Sequence, residues 1–440
     1  MTSHTSFIGH AYDVIVIGAG AAGLAATRML QHEGCKVLTL EARDRLGGRI
    51  LTDWTFASYP VELGAEFIHG KNVHTWELIR SAGIRATEVF SKPERYFFYA
   101  DGALLPLPKV SSTANGVTAI GALSLTGRDL YAAITRRREQ GLPDIDVGSL
   151  LRSLGVSPDT DWGRIVQCSY QGLNASDPAE LSAFSLEEAA YPGDGEEDFQ
   201  IDDGYSTWLE FFADDLPVRL LTPVELIRWE PDGVEVTTRQ GDIFRARRLI
   251  VTCPLALLQK GWPKFIPPLP AFKLHALKLL GSGPVTKVLL RFDRPFWPDE
   301  MERAAIPQTP LFLFRNRADR PDEQPTLTIY VGASAAKSLN RLAPEKAVDA
   351  VVAELRSAFG LAGDPKVVAS RFVDWAADPF AGLGYSFVRP GGVGARALLA
   401  APVDEVLFWA GEATNPVRPA TVHGAMESGV RAADEVLRIA

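Results

Sequence analysis

The stretch YDVIVIGAGAAGLAATRMLQHEGCKVLTLE, running from Tyr12 to Glu41, decides the fold. Its first six residues form an apolar run of the kind a strand buried on both faces requires, and glycines follow at once. Residues 21–33 carry a helical pattern, Gly34 stands where a helix C-cap belongs, and residues 36–40 make a second apolar strand ending at Glu41. Strand, helix and strand complete a βαβ unit of about thirty residues. Gly18, Gly20 and Gly23, with Ala22 among them, form a GxGxxG between the strand and the helix, the context that gives this motif meaning. The glycines allow a tight turn and let a pyrophosphate approach backbone N–H groups at the helix N-terminus. Glu41 is then placed to bind ribose hydroxyls and to repel the 2′-phosphate of NADP. A Rossmann-like α/β fold that binds a dinucleotide follows, with NAD and FAD not yet separated.

Working outward, 440 residues exceed the size at which one core stops growing, so two domains are expected. The 45 Lys and Arg against 54 Asp and Glu give a net charge of -9, which argues against nucleic-acid partners and weakly favours cationic substrates. Cys35, Cys168 and Cys253 are isolated and lack metal-ligand spacing, so neither a disulfide framework nor a metal site is expected, and a reducing cytoplasm fits best. Met1 to Ala11 lacks the charged and apolar regions of a signal peptide. The longest apolar run, residues 14–26, is broken by glycines and falls short of the roughly 20 residues a membrane span needs.

Residues 218–226, 234–238 and 248–252 read as further strands, with a turn at Pro231-Asp232-Gly233. Residues 80–200 shift to helical patterns with charge runs and read as an insertion. Residues 285–292 (VTKVLLRF) form a strand, and residues 344–359 a helix opened by proline. Gly281-Ser282-Gly283 leads into a strand rather than a helix, so no second dinucleotide motif supports an NADPH-dependent monooxygenase.

The decision between NAD and FAD comes from Glu41-Ala42-Arg43-Asp44-Arg45-Leu46-Gly47-Gly48-Arg49. It is joined by Leu63-Gly64-Ala65-Glu66-Phe67-Ile68-His69-Gly70, Asp203 to Ser206, Val251 to Leu255, Lys287, Trp375 to Phe387, Ala410-Gly411-Glu412-Ala413-Thr414 and Pro419-Ala420-Thr421-Val422-His423-Gly424-Ala425. With these motifs in register over nearly the whole chain, the sequence resembles the flavin amine oxidase family, nearest its polyamine oxidase and lysine demethylase branch.

The resemblance implies a Rossmann-like FAD-binding domain over residues 1–80, 200–275 and 386–440, interleaved with an α+β substrate-binding domain over 81–199 and 276–385. It implies FAD contacts at Gly18, Gly20, Ala22, Gly23, Glu41, Ala42, Arg43, Gly48, Arg49, Gly64, Ala65, Glu66, Val224, Gly411, Glu412, Thr421, Val422 and Ala425. Lys287 would stand beside the flavin N5 edge, where a cation stabilises developing negative charge. Trp375 and Tyr385 would wall the substrate, and Thr421 stands where monoamine oxidases carry a second aromatic. Gly384 replaces the cysteine that carries the flavin covalently in monoamine oxidases, so the FAD is expected to be non-covalent. Glu66, His69 and Asn174 are candidates for substrate contact, and the acidic residues Asp194, Glu196, Glu197, Asp198, Asp202 and Asp203 for attracting polycations.

The implied reaction passes hydride from the carbon beside a neutral amine nitrogen to the flavin, after which the imine hydrolyses and O2 is reduced to peroxide. Two alternatives stay open: a carbon–carbon desaturase, against which Lys287 argues, and an L-amino acid oxidase. The second needs an arginine for the substrate carboxylate, and Arg95, Arg315 or Arg389 could supply it.

Overall fold

The structure, a computed structural model, describes residues 10–100, 102–107, 119–188, 194–195, 197–316, 324–361 and 365–439. Most of Met1 to Ala11 and the acidic Glu196 lie outside the described residues. The opening unit forms as its pattern predicts. Strand Tyr12–Ile17, helix Ala21–His32 and strand Val37–Leu40 follow in order, and Gly34 closes the helix at φ +81°.

Tyr12–Ile17 sits in the middle of the larger sheet, parallel to Val37–Leu40 on one side and to Ile243–Val251 on the other. Val218–Arg219 extends the first side. On the second side Gly233–Thr238 and Val224–Glu230 add an antiparallel hairpin, and Leu407–Trp409 runs parallel to the end of Ile243–Val251. The C-terminal helix Val422–Leu437 packs on Ala21–His32, where a Cβ on Gly429 would stand 2.1 Å from the Ala22 carbonyl oxygen. Close contact of the two helices therefore rests on that glycine. Val14, Val16, Ala26, Leu30, Phe408, Ala433 and Val436 fill the layer between sheet and helices.

A second, mostly antiparallel sheet carries Val285–Phe292 between Val367–Asp374 and Thr326–Gly332. Beyond these it continues through Leu311–Arg315, Arg303–Ile306, Tyr96–Ala100 and Ala103–Pro106. The strand bearing Lys287 is thus an inner one, buried along nearly its whole length. Tyr385–Val388 pairs with Leu280–Gly283 as a separate two-stranded ribbon.

Two expectations need correction. Residues 218–226 are two strands, because Leu221 adopts φ +53° and the chain turns so that Leu221 and Thr222 donate their N–H groups to the carbonyls of Arg43 and Glu41. The segment read as a helical insertion does hold helices, Asp161–Asn174 among them, but it also supplies strands Ala86–Val89, Tyr96–Ala100, Ala103–Pro106 and Asp198–Ile201. These strands are only four or five residues long; Ala86–Val89, Tyr96–Ala100 and Asp198–Ile201 find partners far away in sequence, and Ala103–Pro106 is the edge strand of a hairpin with Tyr96–Ala100, so local periodicity did not register them. Asp198–Ile201 pairs with both Phe67–His69 and Ala86–Val89, a small sheet that straddles the expected borders at 80 and 199. Among the described residues no helix is long and apolar enough to cross a membrane.

Candidate functional site

The GxGxxG glycines divide into two kinds. A Cβ on Gly18 would lie 2.6 Å from the Thr252 hydroxyl oxygen, and one on Gly23 would lie 1.8 Å from the Gly18 carbonyl oxygen, so both are needed by the protein's own packing. A Cβ on Gly20 meets nothing nearer than 3.9 Å, one on Gly48 nothing nearer than 3.5 Å, and one on Gly411 nothing nearer than 3.9 Å. Those three leave no more than ordinary contact around a Cβ, Gly48 and Gly411 being held instead by positive φ of +59° and +119°, and they stand by the start of Ala21–His32, a helix with neither a side-chain cap nor an acidic first turn. An uncapped helix N-terminus beside a glycine-lined opening is the cradle a pyrophosphate fits.

Glu41 is buried beside it, accepting from the backbone N–H of Ala19 at 2.7 Å and of Arg43 at 2.9 Å. Arg45 shapes the next loop, donating to the carbonyls of Leu46, Gly48 and Ile50 at 2.9, 2.8 and 3.1 Å. The Arg43 guanidinium is engaged elsewhere, in a two-pronged pair with Asp378 at 2.7 and 3.1 Å, which leaves its backbone as its part of the loop. Ala42 lies between these two residues, and Val224 begins its strand with its side chain in the core.

Arg49 donates to the Gly384 carbonyl at 2.7 Å and to Glu412 at 3.0 Å. The other Glu412 oxygen accepts from the Ser386 hydroxyl at 2.6 Å and the Ala420 N–H at 3.2 Å. Burial works against a charge on Glu412, but Arg49 and Arg396 outweigh it and hold the carboxyl below its usual range. Arg396 and Ser386 were not singled out in the sequence. Arg396 is buried and donates to the Ser386 hydroxyl at 2.6 Å, and only the folded chain brings it there.

Lys287 marks the other end. Its ammonium donates to a Glu66 carboxylate oxygen at 2.6 Å and to the Glu62 carbonyl at 3.0 Å. The Glu62 carboxyl, also missed from the sequence, is 2% exposed and accepts from the Tyr205 N–H at 2.7 Å and the Thr52 hydroxyl at 2.8 Å. Burial pushes it up to about 8, against the pull of those two donors. The intervening segment touches the arginine loop: Ala65 donates to the Arg49 carbonyl at 3.0 Å, and a Cβ on Gly64 would lie 2.0 Å from that same oxygen. Trp375 closes the junction, its indole donating to the Leu63 carbonyl at 2.8 Å. Lys287, Glu66, Gly64, Ala65, Trp375 and Arg49 therefore converge although they are spread over most of the chain.

Trp375, Tyr385, Val285 and Ala175 share one apolar cluster with Tyr330. Tyr330, opposite Lys287 in the sheet register, was not anticipated; its hydroxyl meets that of Tyr385 at 2.6 Å. The Tyr385 hydroxyl also donates to the carbonyls of Gly172 and Leu173 at 2.9 and 3.2 Å, at the end of Asp161–Asn174. Asn174 closes that helix turn, bonding to the Tyr170 carbonyl at 3.4 Å. The Thr421 hydroxyl caps the C-terminal helix through the Gly424 N–H at 3.0 Å, while Val422 and Ala425 line its first turns.

His69 is half exposed and paired with Asp198 at 2.6 Å. Of the acidic group, Glu197 pairs with Lys71 at 2.6 Å and Asp194 with Arg418 at 2.6 Å, so much of its charge is already balanced. Each candidate carboxylate clamp also has a protein partner: Arg95 holds Glu302, Arg315 the Asp299 carbonyl and Arg389 the Leu280 carbonyl. Among the described residues no group of three or more His, Cys, Asp or Glu side chains is arranged to hold a metal.

Comparison with known proteins identifies the family. The family model for flavin containing amine oxidoreductases matches residues 21–437. Polyamine oxidase 4 of Oryza sativa subsp. japonica is 30% identical, with 96% of this chain and 88% of the relative covered. Human lysine-specific histone demethylase 2 is 31% identical over 97% of this chain, which spans only 53% of that protein's length. Among solved structures, cyclohexylamine oxidase from Brevibacterium oxydans IH-35A superposes with a TM-score of 0.82 at 24% identity, over 97% of this chain and 99% of that one. Putrescine oxidase bound to putrescine reaches 0.84 at 21% identity over the same shares, and both superpositions bear on the fold. The chain belongs to the flavin-containing amine oxidoreductases.

Proposed function

We propose that the protein is an FAD-dependent oxidase of a small amine, a polyamine or another primary or secondary amine, which yields an imine that hydrolyses while O2 is reduced to peroxide. In this reading residues 1–80, 200–275 and 386–440 hold a non-covalent FAD, and residues 81–199 and 276–385 form the substrate side. The observation that carries it is the junction at Lys287: a buried ammonium on an inner strand, bonded to the Glu62–Glu66 segment that itself grips Arg49 of the glycine loop. Support for a polyamine or similar amine comes from the polyamine oxidase relatives matched over most of both chains.

The bound flavin supplies the two-electron acceptor. The protein's own groups do the rest. The N-terminus of Ala21–His32 and the loop through Gly48 would receive the pyrophosphate, Glu41 and Glu412 would receive the sugar and ribityl hydroxyls, and the start of the C-terminal helix would favour negative charge on the reduced ring. Trp375, Tyr385 and Tyr330 form an apolar wall that excludes water. Desolvation there favours the neutral amine, whose lone pair is needed for oxidation.

The test is the visible spectrum of the purified protein under anaerobic conditions, before and after addition of spermidine, spermine, simple monoamines and amino acids. Bleaching by an amine, reversed by air with release of peroxide, is expected. Bleaching by amino acids alone would favour the amino acid oxidase instead, and a flavin that none of them reduces would favour the desaturase. Lys287→Met is expected to retain the flavin but slow its reduction or reoxidation about tenfold or more in stopped flow. Unchanged rates would remove Lys287 from the chemistry.

A further inference from the structure

The geometry points to Glu66 as the positioning residue of Lys287: its carboxylate holds the lysine ammonium in place and cancels its charge, rather than receiving a substrate ammonium. The inference rests on the reading of Lys287 given above and deepens it.

Contact distance and burial come first. Glu66 and Lys287 meet at 2.6 Å with side chains 4% and 5% exposed. A carboxylate committed to an ammonium that closely, out of water, has little attraction left for an incoming cation, and without the ammonium it would be a strongly disfavoured buried charge, whereas the ammonium without the carboxylate still keeps the Glu62 carbonyl. The other Glu66 oxygen faces the amide nitrogen of Gln200 at 3.4 Å.

The platform beneath Glu66 is rigid. Glu62 pairs with Thr52 in a short antiparallel ladder, and its carboxyl is fixed by Tyr205 and Thr52. Gly64 and Ala65 are pressed against the Arg49 carbonyl. Lys287 is thus gripped by two acceptors from one fixed segment, the Glu62 carbonyl and the Glu66 carboxylate, which take two of its three N–H bonds. The third is left to address the flavin edge or a water there.

Of the groups around the ammonium, Glu62 is the other candidate counter-ion. Its carboxyl is turned toward Tyr205 and Thr52, and burial favours its neutral form. In the sheet register Lys287 stands opposite Tyr330 and Val373, neither of which offers a negative charge at neutral pH. Glu66 is what makes the pair electrically neutral beside the flavin.

The test compares the flavin-loaded wild type with Glu66→Gln, Glu66→Asp, Lys287→Met and the Glu66→Gln/Lys287→Met double variant. The reduction potential of the bound flavin is measured by dye equilibration at pH 6 with no amine present. Glu66→Gln withdraws a negative charge while the ammonium stays, so its two-electron reduction equilibrium is expected to rise about tenfold, or about 30 mV. In the Lys287→Met background the same change is expected to shift the equilibrium by less than about threefold.

An equal shift with and without Lys287 would overturn the proposal. So would no shift in Glu66→Gln when Lys287→Met does shift the potential, or an unchanged potential with a KM for the reducing amine raised about tenfold, which would assign Glu66 to the substrate. Should Glu66→Gln fail to retain flavin, Glu66→Asp decides. A potential within about threefold of wild type with clearly slowed reoxidation supports positioning, and wild-type reoxidation refutes it. Because the potential needs no amine, it stays readable if the amine reading fails, whereas a flavin insensitive to Lys287→Met would sink the placement of Lys287 and this inference together.

Discussion

Glu62 shows how one side chain can couple the site to pH. Its carboxyl is buried within a glutamate, threonine and tyrosine cluster and is pushed up to about 8 from a usual value of 4.5. The native state therefore binds a proton that the unfolded chain releases between these two values, and stability falls as pH rises through that window. The contribution is complete below the unfolded value and gone above about 8. We predict that Glu62→Gln, which keeps an acceptor for the Tyr205 N–H, flattens the decline in Tm between pH 5 and pH 8.5. The effect amounts to a few kcal/mol at most, since each tenfold change in proton affinity between the folded and unfolded chain is worth about 1.4 kcal/mol. A wild type and variant with parallel Tm profiles would show that the carboxyl is already ionised at neutral pH. Nothing in the sequence around Glu62 announced this, because its burial is made by Thr52 and Tyr205 arriving from elsewhere.

The elements were legible in proportion to how local their causes are. The βαβ unit could be read directly, since buried parallel strands are apolar throughout and the glycines between strand and helix are demanded by backbone geometry. The lysine strand and the proline-opened helix Pro344–Ala358 were legible for the same reason. Strands such as Tyr96–Ala100 were not, since pairing with Arg303–Ile306 across some two hundred residues makes them strands. The motif itself hides a distinction that only packing reveals. Gly23→Ala places its Cβ 1.8 Å from a carbonyl oxygen and is predicted to lower Tm sharply, whereas Gly20→Ala has room and is predicted to leave the fold intact while weakening flavin retention about tenfold or more. Thermal scans and gel-filtered flavin content would check both, and equal behaviour of the two variants would contradict the division.

Across the whole molecule, the aromatic wall proposed for the substrate is a joint between parts that fold from distant sequence. Tyr385 begins the ribbon with Leu280–Gly283, Tyr330 stands in the second sheet opposite Lys287, and Gly172 and Leu173 end a helix of the intervening segment. Two phenol hydroxyls and two carbonyls tie these together, with hydroxyl to hydroxyl at 2.6 Å. Family resemblance pointed to Tyr385, Trp375 and Lys287 because those residues lie in recognisable motifs. Tyr330 escaped because it sits in an ordinary-looking strand, TLTIYVG, where an aromatic reads as core. If the joint fixes the wall, Tyr385→Phe and Tyr330→Phe each remove a shared bond and each should lower unfolding stability by about 1 kcal/mol in denaturant titrations. The double variant should lose less than the sum, by about 0.5 kcal/mol or more, since the same hydroxyl contact is broken in all three. Catalysis should follow the geometry rather than the stability: Tyr385→Phe, freed from the Gly172 and Leu173 carbonyls, is expected to lower kcat/KM for the reducing amine more than Tyr330→Phe, which loses only the partner hydroxyl. Additive stabilities with equal kcat/KM losses would mean that the two tyrosines pack independently and that the hydroxyl joint does not set the wall.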